Sequence, residues 1–515
     1  MVSATPALAQ TDELTAYARA RAAEGDGAPD LAVPGYMAAL AQLPDDATIA
    51  GRAYRAGLAA GDWALVDRAE RILEKSDDAP IDTAIVRFSL ALKAGDRAGA
   101  AAAIEKVRKG PLAFLVPILG AWLALDRGED PLAILDTSGK DGLSRRYRAE
   151  NRVMLLIALH RGGEALNELR PMLGQGATDD LRINSALLLG LTGERDMANL
   201  LLNSPQPEMK GLRALLGKGA RPSAMTGGAR LFLSLAVDLM QGDSPTPVAI
   251  LLTRCALLLD PSDDRARLYL AEALSRAGVN KLALDTLAQV SRTSPFARGA
   301  AAGRIAVLQR AGKLPEAIAL AKLQYGDRAS TSADAAIYGD LLSADRQYAA
   351  AADAYGAAIA RPGGDGDWRL YQRRGMALDL AGKWDQALPV LRRAVTLAPG
   401  EAKALETLGM ALIAHNQNLD DAQTLLERAS GLAPDDAAIT DSLGWAYFQR
   451  GDLAKALPLL ERAVAADPGG SQANEHLGDV YWKLGRHYEA RYAWRAAAIY
   501  ADPQAAARIA AKLAN

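Results

Sequence analysis

What the chain has little of narrows its reading first. A single cysteine, Cys255, stands among 515 residues, which excludes an intrachain disulfide and a cysteine-based zinc site. Cys255 sits among Leu251, Leu252, Leu257 and Leu258 and reads as a buried, unreactive thiol. Four histidines, His160, His415, His476 and His487, show no ligand spacing, so no metal and no cofactor is implied. Even the nearest pair, His476 and His487, reads as packing or surface residues. Aromatic residues make up only 5% and the formal net charge is −2, which excludes bulk electrostatic attraction to nucleic acid. Arginine-rich stretches at 145–148 and 369–374 are isolated and read as solvated helix faces. The longest uncharged run, Gly110 to Leu125, is shorter than the roughly 20 residues of a membrane span and contains Pro111 and Pro117. It reads as a buried helix. P-loop, dinucleotide fingerprint, His-Glu-x-x-His and Gly-x-Ser-x-Gly are all missing, so no catalytic residue is assigned and no enzyme is expected.

Apolar residues, by contrast, reach 50% and charged ones 23%, with alanine and leucine dominant. Small and unbranched side chains in that proportion favour an all-α fold. The first ten residues end in Ala7-Leu8-Ala9-Gln10, the small-x-small form of a signal-peptidase site, with no basic or apolar region ahead of it. Residues 1–9 are therefore expected to be the remnant of an export signal and the protein periplasmic; the alternative is an alanine-rich leader on a cytoplasmic protein.

Internal repetition then accounts for the length. Leu443-Gly444, Tyr447, Gly451 and Ala456 recur 34 residues later as Leu477-Gly478, Tyr481, Gly485 and Ala490. The pattern resembles the tetratricopeptide repeat, a helical hairpin with Leu-Gly at positions 7 and 8, Tyr at 11, Ala at 20 and Pro at 32. Starts at Arg230, Asp264, Arg298, Ser332, Trp368, Ala402, Ala437 and Ser471 place eight repeats over 230–503. Alanine or glycine is needed where helices pack closely, and a larger residue at Gly444 should overpack by roughly 1 to 3 kcal/mol. The pairs Gly61-Asp62, Gly95-Asp96 and Gly451-Asp452 read as a helix-ending glycine followed by an N-capping aspartate. Glycines at 27, 61, 95, 128, 162 and 193 carry a similar spacing into residues 10–202, predicting six degenerate hairpins. Residues 203–229 are rich in glycine and proline and read as a connector with one short helix at 210–216, and 504–515 as a capping helix. Pro389 and Pro458 should kink their helices mildly, unless those helices start later.

The resemblance implies a right-handed α-solenoid whose first helices line a concave groove, with repeat positions 2, 5, 9 and 12 facing it. Those positions give a candidate peptide-binding set: Arg369, Met376, Asp379, Lys403, Glu406, Met410, Asp441, Trp445, Phe448, Glu475, Asp479 and Trp482. Apolar anchors between carboxylates suit a protein partner, Trp445 and Trp482 foremost. Trp482 has an alternative, packing under the capping helix. The corresponding positions of the repeat at Arg298, Gly299, Ala302, Ala306 and Gln309, offer far less. The C-terminal repeats look like those of proteobacterial envelope proteins, including adaptors of carboxyl-terminal-processing proteases, without their lipid-bearing cysteine. That resemblance implies a non-enzymatic scaffold or adaptor for an envelope protease or assembly complex. The alternatives are a self-assembling homo-oligomer and a regulatory subunit of an envelope enzyme.

Overall fold

The computed structural model describes residues 7–514 apart from 77–79, 81, 138, 140, 175–178, 205–206 and 243–246. Residues 1–6 of the expected export remnant and Pro205 of the expected connector lie outside that set. The described chain is built from α-helices with one short 3-10 turn, and it divides into two compact units, Met1–Lys313 and Leu314–Asn515. No described helix is long and apolar enough to cross a membrane. The uncharged run ends in helix Val116–Arg127, which buries Ile118, Leu119 and Trp122.

Local chemistry sets the helix ends. Gly61 takes φ 80° and ends helix Ala47–Ala60, and the side chain of Asp62 then accepts a hydrogen bond of 2.8 Å from the Leu65 N–H. Gly451 and Asp452 repeat the device, with Asp452 accepting from the Lys455 N–H at 3.1 Å. Gly162 departs from its expected role: it opens helix Gly162–Gly174, and His160 takes the left-handed turn at φ 59°. Pro389 and Pro458 lie inside helices Trp384–Leu397 and Leu453–Ala466, so neither helix starts after its proline.

In the second unit, consecutive hairpins run Ser332–Ala344 with Tyr348–Ala360, Trp368–Leu380 with Trp384–Leu397, Ala402–Ala414 with Leu419–Leu432, Ala437–Gln449 with Leu453–Ala466, and Ser471–Lys483 with His487–Ile499. Helix Pro503–Leu513 follows. Each helix packs chiefly on its sequence neighbours. Position 20 of these five repeats is Ala351, Ala387, Ala422, Ala456 and Ala490, all 0% exposed. Position 8 is glycine throughout, because a β-carbon there would meet the partner helix. At Gly339 it would lie 2.7 Å from the Tyr355 ring, at Gly375 2.5 Å from Leu391, and at Gly409 and Gly444 2.8 Å from Leu426 and Leu460. At Gly478 it would strike the Trp494 indole.

The first unit contains the six N-terminal hairpins and then turns on itself. Helices Ala224–Leu239 and Pro247–Leu259 pack against the first helices of earlier hairpins, Ala47–Ala60, Thr83–Lys93, Val116–Arg127 and Gly142–Ala158. The expected connector is corrected here: its single short helix is Pro207–Arg213, and residues 224–229 belong to helix Ala224–Leu239. Gly227 and Gly228 are not loop residues. Gly227 lies flat against the fully buried Trp122 indole, whose N–H donates to Asn151 at 3.0 Å. The arginine-rich stretch 145–148 is likewise more than a solvated face, since Arg146 bonds Asp238 at 3.0 Å and the buried Tyr147 hydroxyl donates to Asp238 at 2.5 Å. Cys255 is buried in the same interface, and burial pushes its thiol up to about 12, which keeps it protonated and inert.

Two substitutions test this packing. Gly444→Ala is expected to lower unfolding free energy by about 1 to 3 kcal/mol through contact with Leu460, and Gly227→Ala by more, because a buried indole has no room to move. Denaturant midpoints measured beside an exposed control, Gly431→Ala, would check both.

Candidate functional site

The first helices of the second unit carry the groove positions, and the structure divides the expected set in two. Position 5 residues are not free. The Gln372 side-chain amide donates to Thr407 Oγ1 at 2.5 Å, and Ser442 Oγ donates to Glu406 at 3.1 Å. His476 Nδ1 lies 2.9 Å from Asp441, and since a carboxylate only accepts, Nδ1 is the donor. Arg508 forks onto Glu475 with two bonds of 2.8 Å. Each bond joins one repeat to the first helix of the next element. Glu406, Asp441 and Glu475 are buried, so these carboxylates staple successive repeats together and do not offer charge to a ligand.

The remaining acidic positions are engaged too. Asp379 lies 2.6 Å from His415 Nε2, and the His415 ring stacks on Trp384 at 3.9 Å. Asp479 accepts from the Trp494 indole N–H at 3.0 Å and from Lys512 at 2.6 Å. Trp482 packs on Trp494 at 5.3 Å and against the cluster of Ile509, which places it beneath helix Pro503–Leu513. The expectation that Asp479 offers its charge to a partner is corrected, since it holds the terminal helix through Lys512, and Trp482 takes its alternative role of packing by the capping helix.

What stays open is apolar and basic. Met376 is exposed, Met410, Trp445 and Phe448 are partly buried, and Arg369 and Lys403 are exposed beside them. Trp445 is stacked on His476 at 3.9 Å and on Phe448 at 4.9 Å. It borders a cavity of about 500 Å³ that is walled by Gln472, His476 and Tyr500 together with the ion-paired Glu475, Asp479, Arg508 and Lys512 and with Asp502. Arg369 lies over the Trp368 ring at 4.8 Å, and Lys403 bonds Glu406 at 2.6 Å.

A second cavity, of about 570 Å³, lies within the first unit. Ile183, Val237, Leu268, Leu287, Phe296 and Val307 wall it, and Gly299 and Gly303 leave the space open. Small side chains at the repeat starting at Arg298 therefore create a pocket where poverty of contact was expected. Among the described residues no group of three or more His, Cys, Asp or Glu side chains is arranged to hold a metal ion.

The tyrosines at position 11 serve the same stapling purpose as position 5. Tyr447 donates to Glu427 at 2.8 Å and Tyr481 to Glu461 at 2.7 Å, each reaching back to the second helix of the preceding repeat. Burial and the facing glutamate together push both phenols up to about 12.

Glu475 makes the terminal staple sensitive to acid. Burial alone would raise its pKa, but the bonds from Arg508 and Lys512 outweigh that and hold it at about 2. A folded pKa below the ordinary value of 4.5 means the stabilisation is complete above pH 4.5 and is lost as pH falls towards 2. Glu475→Gln should therefore cost about 2 kcal/mol at pH 7, after discounting for the exposed Arg508, and almost nothing near pH 2. Denaturant melts followed by the fluorescence of Trp482 and Trp494 across that range would measure the difference.

Residues 339–402, 406–471 and 442–506 match the model of the tetratricopeptide repeat family. No curated protein sequence matches the chain. Solved structures similar to it include MamA, 23% identical over 32% of this chain and 93% of that one, with a TM-score of 0.27. MamA from Desulfovibrio magneticus RS-1 is 22% identical over 32% and 90%, at 0.28. A thermophilic tetratricopeptide protein of Thermus thermophilus is 21% identical over 36% and 100%, at 0.33. The stapled hairpins of residues 339–506 are thus tetratricopeptide repeats, within an all-α chain of helical hairpins.

Proposed function

We propose that this chain is a non-enzymatic scaffold or adaptor of the bacterial cell envelope that holds a peptide of a partner protein in the groove of its second unit. Tetratricopeptide repeats are protein-interaction modules, and the repeats matched over 339–506 supply one here. The observation that carries the reading is that the groove positions of three successive repeats keep Met376 exposed and Met410, Trp445 and Phe448 partly exposed, with Arg369 and Lys403 exposed on the same first helices. An aromatic residue held by two stacked rings is a rigid anchor that gives contact area with little loss of side-chain entropy, and methionines adapt around it. Because the groove carboxylates are bonded within the protein, Glu406 to Lys403 among them, the peptide it favours brings apolar side chains first and a carboxylate for Arg369 second. A placement in the envelope rests on Ala7-Leu8-Ala9, and an envelope protease or assembly complex is the partner class proposed with it.

Affinity purification from an envelope extract of the source cell tests the proposal. Native protein should retain a partner that Met376→Glu and Trp445→Ala lose, each weakening binding by about 2 kcal/mol or more. Met376 is exposed, so its variant separates a lost contact from a disturbed fold, whereas Trp445→Ala also removes the stack on His476. Equal retention by all three proteins would exclude the groove.

A further inference from the structure

The repeats act as controls for one another, and one of them departs from the rest. Positions 18, 22 and 29 lie on the second helix of each repeat of the second unit and face solvent in all five. In the first four repeats they are Ala349, Asp353 and Ala360; Asp385, Pro389 and Thr396; Asp420, Thr424 and Gly431, allowing for the one-residue insertion near Asn416; and Ala454, Pro458 and Ala465. Small or polar residues are what water-facing positions require. In the last repeat the same positions are Tyr488, Tyr492 and Ile499, exposed by 84%, 72% and 72%. Exposure is unchanged and the chemistry is reversed.

These residues form one face. Spacings of four and seven along helix His487–Ile499 place Tyr488, Tyr492, Arg495 and Ile499 in a single stripe roughly 16 Å long, three turns of helix. The stripe lies apart from the groove, since the first helices carry the groove positions. Arg491 and Arg495 are exposed on or beside it and have no carboxylate partner among the described residues. The helix's one carboxylate, Glu489, is taken by Arg486 at 3.0 Å. The face therefore presents tyrosine hydroxyls, apolar rings and uncompensated guanidinium charge. Tyrosine and arginine are the residue types that dominate binding hot spots, and arginine pairs in a fork with carboxylates.

We infer that the outer face of helix His487–Ile499 is a second docking surface, and that it takes an acidic amphipathic helix of another protein. That occupant follows from complementarity. Aliphatic side chains at three- and four-residue spacing pack along the Tyr488, Tyr492 and Ile499 stripe, and carboxylates on their border meet Arg491 and Arg495. A chain using this face and the groove together would hold two partners, or two segments of one, at the same end of the second unit.

A displayed library of random peptides about 16 residues long tests this. Peptides retained by a Tyr488→Ala/Tyr492→Ala variant are discarded first, and the remainder are selected on the full native chain. The expected pool is acidic with apolar residues at helical spacing, and it binds Arg491→Glu/Arg495→Glu protein at least about tenfold more weakly than native. An empty pool, a neutral or basic pool, or equal binding to the arginine variant overturns the proposal. Sedimentation of the native and tyrosine-variant proteins supplies a further check: self-association of the native chain that the variant abolishes would make the face a contact between copies, and would overturn it too. All four positions are exposed, so circular dichroism of the variants should match that of the native protein.

Discussion

The second unit depends on one steric constraint: the first helix of each hairpin must expose bare backbone where the second helix crosses it. Glycine at 339, 375, 409, 444 and 478 meets that demand, and a large side chain, Tyr355, Leu391, Leu426, Leu460 or Trp494, fills the space it leaves. Once the two helices sit this close, alanine is the side chain that fits at position 20, and it is fully buried in every repeat. The apolar content is spent on thin layers between neighbours, so no large central core forms. Polar side chains then fix the angle between successive hairpins.

That division of labour explains why the groove turned out less acidic than its residue types suggest. A carboxylate at position 5 faces both the groove and the next repeat, and a bond to the adjoining element within 3.1 Å outweighs exposure to water. Buried and bonded, it contributes rigidity and register. Binding is left to groups without such a neighbour, the methionines and Trp445. The terminal helix completes the series by supplying Arg508 and Lys512 where the next repeat would supply its own polar partner.

Much of this was legible in residues alone. The recurring Leu-Gly, Tyr and Ala gave helix starts that the structure reproduces at Asp264, Ser332, Trp368, Ala402, Ala437 and Ser471, because each marker answers to a local steric need. Trp445 was recognisable as an aromatic at a groove position. The consumption of Glu475 and Asp479 was not, since it depends on where Arg508 and Lys512 come to rest, although a partner 33 to 36 residues downstream is a spacing that a search for cross-repeat pairs would catch. Gly227 and Gly228 misled for a related reason. Two adjacent glycines near prolines look like a loop, and only Trp122, a hundred residues earlier, shows that they make room inside a helix.

The return of helices Ala224–Leu239 and Pro247–Leu259 onto the first unit also fixes the order in which that unit becomes whole during synthesis. Phe88 and Trp122 leave the ribosome long before the segment that covers them, so the nascent chain carries an unsealed apolar surface while roughly a hundred further residues are made, several seconds at ordinary translation rates. The second unit, whose hairpins close on their immediate neighbours, has no comparable wait and can form one repeat at a time as the chain emerges.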